Sequence, residues 1–261
     1  MPRPRLAIRI SALGLPLRQG LAQAAALGVA AIQIDAGVDV RLSELSATGL
    51  RQLKKLVNDF GLRIAAIRFQ TRHGFDCVEG LSRRIDATKS VMTIAYQLGA
   101  PLVINQIGNV PAEATDPGFQ SLTEVISDLG RHGTRVGTLL AAETGSEPGE
   151  SLARLLQTDQ NAFVAAALNP GKLIINRFDV EAATRALADR IRIVIASDGV
   201  VDLAAGRGIE VQLGQGTADY PAILARLENQ RFDGCFVLGD ERAGPDGRQR
   251  VAEAVEYFGN L

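Results

Sequence analysis

The chain of 261 residues has no tryptophan, two cysteines, two histidines, two methionines and three tyrosines. Cys77 and Cys235 lie far apart with no CxxC spacing, which excludes a disulfide scaffold and fits a reducing, cytoplasmic setting. Two histidines cannot build a three-histidine zinc site. A charge excess is also missing: 28 basic residues face 29 acidic ones, so no long-range field would draw the chain onto nucleic acid or an anionic membrane. Long apolar runs are absent too. The most apolar stretch, Leu21 to Ile34, is interrupted by Gln23, Gly28 and Gln33, and reads as a helix end plus a strand, not a membrane span. The opening MPRPRLAIRIS passes from a short basic stub directly into an alternating strand, so no signal peptide and no export are expected.

What is present is the composition of a full globular core, 46% hydrophobic and 22% charged. Short β-branched runs alternate with longer segments of helical period, the pattern of parallel strands joined by crossover helices. The spacing predicts eight strands: Leu6 to Ile10, Ala31 to Asp35, Arg63 to Arg68, Leu102 to Gln106, Val136 to Ala142, Phe163 to Leu168, Arg192 to Ala196, and Cys235 to Leu238. Between them, Ser46 opens a helix whose buried face is Leu50, Leu53, Val57 and Phe60, ended by Gly61. A longer helix repeats Leu81, Ile85, Thr88, Met92 and Ala95 before Gly99. Further helices start near Phe119, Glu150, Val180, Tyr220 and Arg248. Barrels of this alternation use about 250 residues as one domain. With no linker or low-complexity stretch, one (β/α)8 TIM barrel over residues 1–261 is expected, a doubly wound open sheet being the alternative.

In such barrels the loops after the strands build the active site. The polar residues at those ends are Arg9, Asp35, Arg68, Asn105, Gln106, Glu143, Asn169, Asp198, Asp240 and Glu241, each a substrate contact or a structural cap. His132, in LGRHGTRVG, falls between a helix and the next strand and so on the opposite face, whereas His73 follows the third strand, where it can reach the mouth but is more often a solvated or hydrogen-bonded surface group. Of the four lysines, Lys54, Lys55 and Lys89 lie in helices outside the barrel. Lys172, in LNPGKL, is placed to meet substrate, as an anion contact in preference to a Schiff-base lysine. The glycine-rich GRGIEVQLGQGTADYP before Tyr220 either cradles a phosphate on backbone N–H groups or is a plain surface turn.

Taken together, SALGLPLRQGLAQAAALGVAAIQIDA, LAAETG, IASD and LGQGTADYPAILARLENQRFDG resemble the xylose-isomerase-like barrel family, over nearly the whole chain. That family holds sugar and sugar-phosphate isomerases and epimerases together with endonuclease IV. The resemblance implies one divalent metal held by a glutamate, an aspartate, a histidine and a glutamate after strands five to eight. Those positions carry Glu143, Asn169, Ile195 and Gly239 here, so one ligand of four survives and no metal or other cofactor is expected. What it implies for function is an isomerase or epimerase of a sugar or sugar phosphate. Glu143 would be the catalytic base, its pKa raised by burial if the mouth closes, or else a buried carboxylate paired with an arginine. Arg68, Arg9 or Lys172 would stabilise the enediolate that the metal otherwise carries. The alternative is a carbohydrate-binding or regulatory barrel that has lost catalysis, and a lyase acting through an enolate fits the same residues. The many histidines of the endonuclease are missing, and the family's habit of forming dimers or tetramers suggests a homo-oligomer.

Overall fold

The structure is a computed structural model and describes residues 4–157, 163–202, 208–240, 244 and 246–261. In chain order the described strands are β1 (Leu6–Arg9), β2 (Ala31–Asp35), β3 (Arg63–Arg68), β4 (Leu102–Asn105), β5 (Leu139–Glu143), β6 (Ala165–Leu168), β7 (Ile191–Ala196), β8 (Asp198–Val201), β9 (Gly208–Val211) and β10 (Cys235–Leu238). The helices are α1 (Leu17–Ala26), α2 (Ala47–Asp59), α3 (Leu81–Leu98), α4 (Pro117–Val136), α5 (Gly149–Leu156), α6 (Pro170–Ile175), α7 (Val180–Ala186), α8 (Tyr220–Asn229) and α9 (Gly247–Gly259). Eight parallel strands close a barrel in the order β1, β10, β7, β6, β5, β4, β3, β2, while β8 and β9 form a separate antiparallel hairpin. The expected TIM barrel is therefore observed, and the open sheet is not.

Strand alternation sorts the side chains. Ile8, Ile32, Ile34, Ile67, Val103, Leu140, Val194, Phe236 and Leu238 pack outward against the helices. Ala7, Ala31, Ala141, Ala165 and Ala167 meet Leu102, Ile104, Ile193, Ile195 and Val237 inside the barrel. Small residues on β1, β2, β5 and β6 thus face large ones on β4, β7 and β10. Continuing the same parity one step toward the carboxyl ends points Arg9, Asp35, Arg68, Glu143, Asn169, Ser197 and Gly239 into the mouth.

Some boundaries differ from expectation for local reasons. The first strand stops at Arg9, and Ile10–Leu13 turns as a short 3-10 helix. The fourth ends at Asn105, and the sixth begins at Ala165. The β-branched Val136 belongs to α4, which runs on until Gly137 takes a left-handed φ of 85°, so β5 starts only at Leu139. His132 consequently sits within α4, where its Nε2 lies 3.1 Å from the Lys89 carbonyl of α3, away from the mouth. Lys172 lies on the short helix α6, not in a loop. Among the described residues no helix is long and apolar enough to cross a membrane.

Candidate active site

Two buried ionic groups stand at the mouth. On one side the Arg9 guanidinium from β1 meets the Asp35 carboxylate from β2, with Nε donating at 2.7 Å and an N···O separation of 2.5 Å at the second nitrogen. Ser11 Oγ and Gln33 Nε2 donate to the same carboxylate at 3.0 and 2.9 Å. Adjacent strands in register bring the pair together, and burial makes their mutual compensation necessary. Asp39, in the next loop, accepts from the Asp35 backbone N–H at 2.6 Å. Burial pushes the Asp39 carboxyl from 3.8 up to about 6, although that hydrogen bond opposes the shift.

The second group centres on Glu143, 3% exposed at the end of β5. Arg68 from β3 reaches it at 3.1 Å, and Lys172 Nζ from α6 stands 3.0 Å away. Asn169 Nδ2 donates to the same carboxylate at 2.7 Å. The Asn169 amide cannot be turned over: its Oδ1 accepts from the Lys172 backbone N–H at 3.0 Å and from Ser197 Oγ at 2.5 Å. Tyr220 in turn donates its hydroxyl to the Ser197 carbonyl at 2.8 Å. Burial, with the charge of Asp198 adding, raises that phenol well above its ordinary range. Glu143 is thus buried and paired with an arginine, in a cage of donors.

A cavity of about 540 Å³ opens above this group, lined by Gln106, Asn169, Lys172, Asn176, Ser197 and Glu210 among others. A larger hollow of about 740 Å³ lies outside the barrel between α7 and α8, lined by Val180, Ile223 and, from the hairpin, Val201, and no barrel strand contributes to it. We place the site at the mouth, because there the ends of different strands contribute polar groups to one space.

Several expected contacts have other duties. Asp198 receives backbone N–H bonds from Gly199, Gly214, Gly216 and Ala218 at 2.9 to 3.0 Å, so it holds the glycine-rich segment in place. That segment does cradle an anion, but the anion is this internal carboxylate. Asp240 turns its carboxylate to Arg250 of α9 at 2.9 Å, and only its carbonyl meets Arg9. Asn105 is fully buried beside the loop after β3, accepting from Thr71 at 3.4 Å. His73 is exposed on that loop and does not line the described cavity. Glu241 lies outside the described residues.

Ser197, Asn176 and Glu210 escaped notice in the sequence. Ser197 was available from the inward parity of Ile193 and Ile195; the other two, at the C-cap of α6 and on β9, lie outside the barrel alternation. Glu147 also went unseen. It is buried after β5 with neither oxygen hydrogen-bonded, and burial, aided by Asp76, pushes it from 4.5 up to about 8.

A model of the xylose isomerase-like TIM barrel matches residues 21–261. The chain belongs to that family. Among solved structures, it is similar to a xylose isomerase domain protein from Planctomyces limnophilus, at a TM-score of 0.86 and 21% identity over 99% of this chain and 97% of that one. It is also similar to a xylose isomerase-like TIM barrel protein from Mycobacterium smegmatis in complex with magnesium, at 0.74 and 19% over 98% and 95%. A sugar phosphate isomerase/epimerase from Parabacteroides distasonis gives 0.71 and 16% over 98% and 94%. No curated protein matches the chain. At these identities the likeness carries the fold.

The family's metal position does not suit a divalent cation here. Glu143 is already engaged by two cations and an amide, and Ile195 is aliphatic. A side chain at Gly239 would place its Cβ 2.5 Å from the Ala12 Cβ at a φ of 124°. Among the described residues no group of three or more His, Cys, Asp or Glu side chains is arranged to hold a metal ion.

Proposed function

We propose that this barrel is an isomerase or epimerase of a sugar or sugar phosphate, moving a proton between carbons next to a carbonyl without a divalent metal. The observation that carries this is the Lys172 ammonium 3.0 Å from Glu143, on the wall of the mouth cavity. Its side chain is 27% exposed, so it can turn from the carboxylate to a substrate oxygen, whereas Arg68 at 3% stays buried and keeps Glu143 in place.

In this scheme the substrate carbonyl takes the Lys172 ammonium. Glu143, relieved of one cation, accepts the proton from the adjacent carbon, and the electron pair moves to the carbonyl oxygen as an enediolate. The ammonium stabilises that charge. Glu143 then returns its proton to the neighbouring carbon while the hydroxyl proton crosses between the two oxygens, which completes isomerisation with one base. Epimerisation needs a second acid or base, and Glu210 on the hairpin is a carboxylate that lines the cavity and is a candidate for it.

A second reading has its own support. A carboxylate held at once by Arg68, Lys172 and Asn169 is a weak base, which favours a sugar-binding barrel without turnover. Hydrogen exchange at carbon decides between them without foreknowledge of the product. Chelator-treated protein is incubated with a sugar panel in D2O and deuterium uptake is followed by NMR. We expect uptake, reduced by about 100-fold or more in Glu143→Gln, the usual contribution of a positioned base. No uptake by any sugar would sink the enzyme reading, and uptake only after adding metal would sink the metal-free mechanism.

A further inference from the structure

Ser197 stands on the wall of the mouth cavity, directly after β7, yet its hydroxyl is committed inside the protein. Oγ donates to Asn169 Oδ1 at 2.5 Å and accepts from the Gly171 N–H at 3.1 Å. The Ile195 carbonyl, another acceptor for that proton, is farther off at 3.5 Å. A serine hydroxyl has a single proton, so Ser197 has none left to donate to a ligand. Its influence on the reaction runs through what it holds.

What it holds is the start of α6. Asn169 caps that helix and Lys172 lies in its first turn. These two residues present Nδ2 and Nζ to the same oxygen of Glu143, at 2.7 and 3.0 Å. A helix of 6 residues is too short to keep its own geometry in water, so its place depends on contacts from the side. The contact with the end of β7 is direct: a Cβ on Gly171 would lie 2.6 Å from Ser197 Oγ and 2.9 Å from the Asp198 nitrogen. Ser197 is itself fixed from behind, its carbonyl by the Tyr220 hydroxyl at 2.8 Å and the following residue, Asp198, by the backbone of the glycine-rich segment. In the proposed reaction Lys172 leaves Glu143 for the substrate oxygen, while Arg68 and Asn169 stay on the base. Donation to Oδ1 polarises the Asn169 amide and strengthens the bond its Nδ2 makes to the carboxylate.

We propose that Ser197 is a positioning residue for the Glu143 base, acting through the Asn169 amide and the first turn of α6. Its consequence for turnover rests on the sugar-isomerase reading; its hold on Asn169 does not.

The test compares wild type with Ser197→Ala, Ser197→Thr and Thr144→Val. Thr144 Oγ1 accepts from the backbone N–H of Asn169 at 2.9 Å, so its removal loosens the same residue without touching the amide. In isotope-labelled protein the Asn169 side-chain NH2 signals, identified by their loss in Asn169→Asp, are followed by NMR. Ser197→Ala should speed their exchange with solvent roughly tenfold, the worth of about one hydrogen bond, and Ser197→Thr should restore the slow rate. Thr144→Val should leave that rate as in wild type even where it lowers stability as much. Unchanged exchange in Ser197→Ala, or an equal change in Thr144→Val, overturns the proposal. For a sugar that wild type labels with deuterium at carbon, Ser197→Ala should lower kcat roughly tenfold with KM unchanged, and threonine should recover it. A change confined to KM would make Ser197 a ligand contact and refute the positioning role. No uptake by any sugar, wild type included, refutes the isomerase reading, and the amide exchange alone then upholds or overturns the hold on Asn169.

Discussion

Asn169→Asp changes one NH2 group to oxygen and tests the mouth at its tightest point. Asn169 Oδ1 is fixed by Ser197 and the Lys172 N–H, so the new oxygen must face Glu143 where Nδ2 now donates at 2.7 Å. Losing a hydrogen bond to a charged acceptor costs roughly 1.5–3 kcal/mol. Two carboxylates at about 4 Å repel by about 4 kcal/mol at an effective dielectric constant of 20. Lys172 and Arg68 offset much of that repulsion, which leaves a net loss of about 3 kcal/mol at neutral pH. At about 2.1 cal/mol/K per residue of unfolding entropy, this corresponds to a fall in Tm of about 5 °C. Because a proton shared between the carboxylates restores a donor, the deficit should shrink as pH falls toward 5. Urea unfolding followed by circular dichroism measures it. A variant as stable as wild type at pH 7 would refute the donor role of this amide and with it the cage around Glu143.

Further consequences follow from the same geometry. Burial holds the Glu147 carboxyl at about 8 in the folded chain, against 4.5 for a solvated glutamate. Its cost to stability therefore grows as pH rises through the unfolded value and is complete above the folded one, reaching on the order of 5 kcal/mol. Glu147→Gln should match wild type below pH 4.5 and exceed it at pH 9 in chemical denaturation; equal stability at both ends would refute the buried, unpartnered carboxyl. Asp198→Ala orphans four backbone N–H groups and should cost about 3 kcal/mol or more, with Asp198→Asn milder, read from urea midpoints. Gly239→Glu, which puts a carboxylate where the resemblance implies a metal ligand, should lose about 3 kcal/mol because its Cβ meets Ala12 at a strained φ, and added Mn²⁺ should not recover it in thermal melts.

The barrel was legible because its signals are local. Alternation within each strand and glycine or serine at helix ends need only neighbouring residues, as Ser46 and Gly61 show for α2. The same alternation placed Arg9, Asp35, Arg68, Glu143 and Asn169 at the mouth. Their pairings were not legible, since Arg68 meets Glu143 across two strand intervals of a closed sheet, a distance set by the barrel's curvature. Val136 misled because a β-branched residue at a helix end resembles a strand start. Asp198 serves the backbone, which its sequence position cannot show, because a strand-end carboxylate looks the same whether substrate or backbone satisfies it. Glu147 and Asp39 owe their perturbed acidity to burial by other loops, which no sequence window contains.

The uneven filling of the barrel bears on how this protein would change its preferences. With alanine on five of the strands, the large interior residues are Leu102, Ile104, Ile193, Ile195 and Val237, of which Ile195 reaches the cavity wall. Depth at that wall is therefore governed by one side chain of β7. Shortening Ile195 would lengthen the space available to a ligand without touching Glu143, Lys172 or Asn169, so the size of molecule accepted and the chemistry applied to it can diverge independently, one substitution at a time.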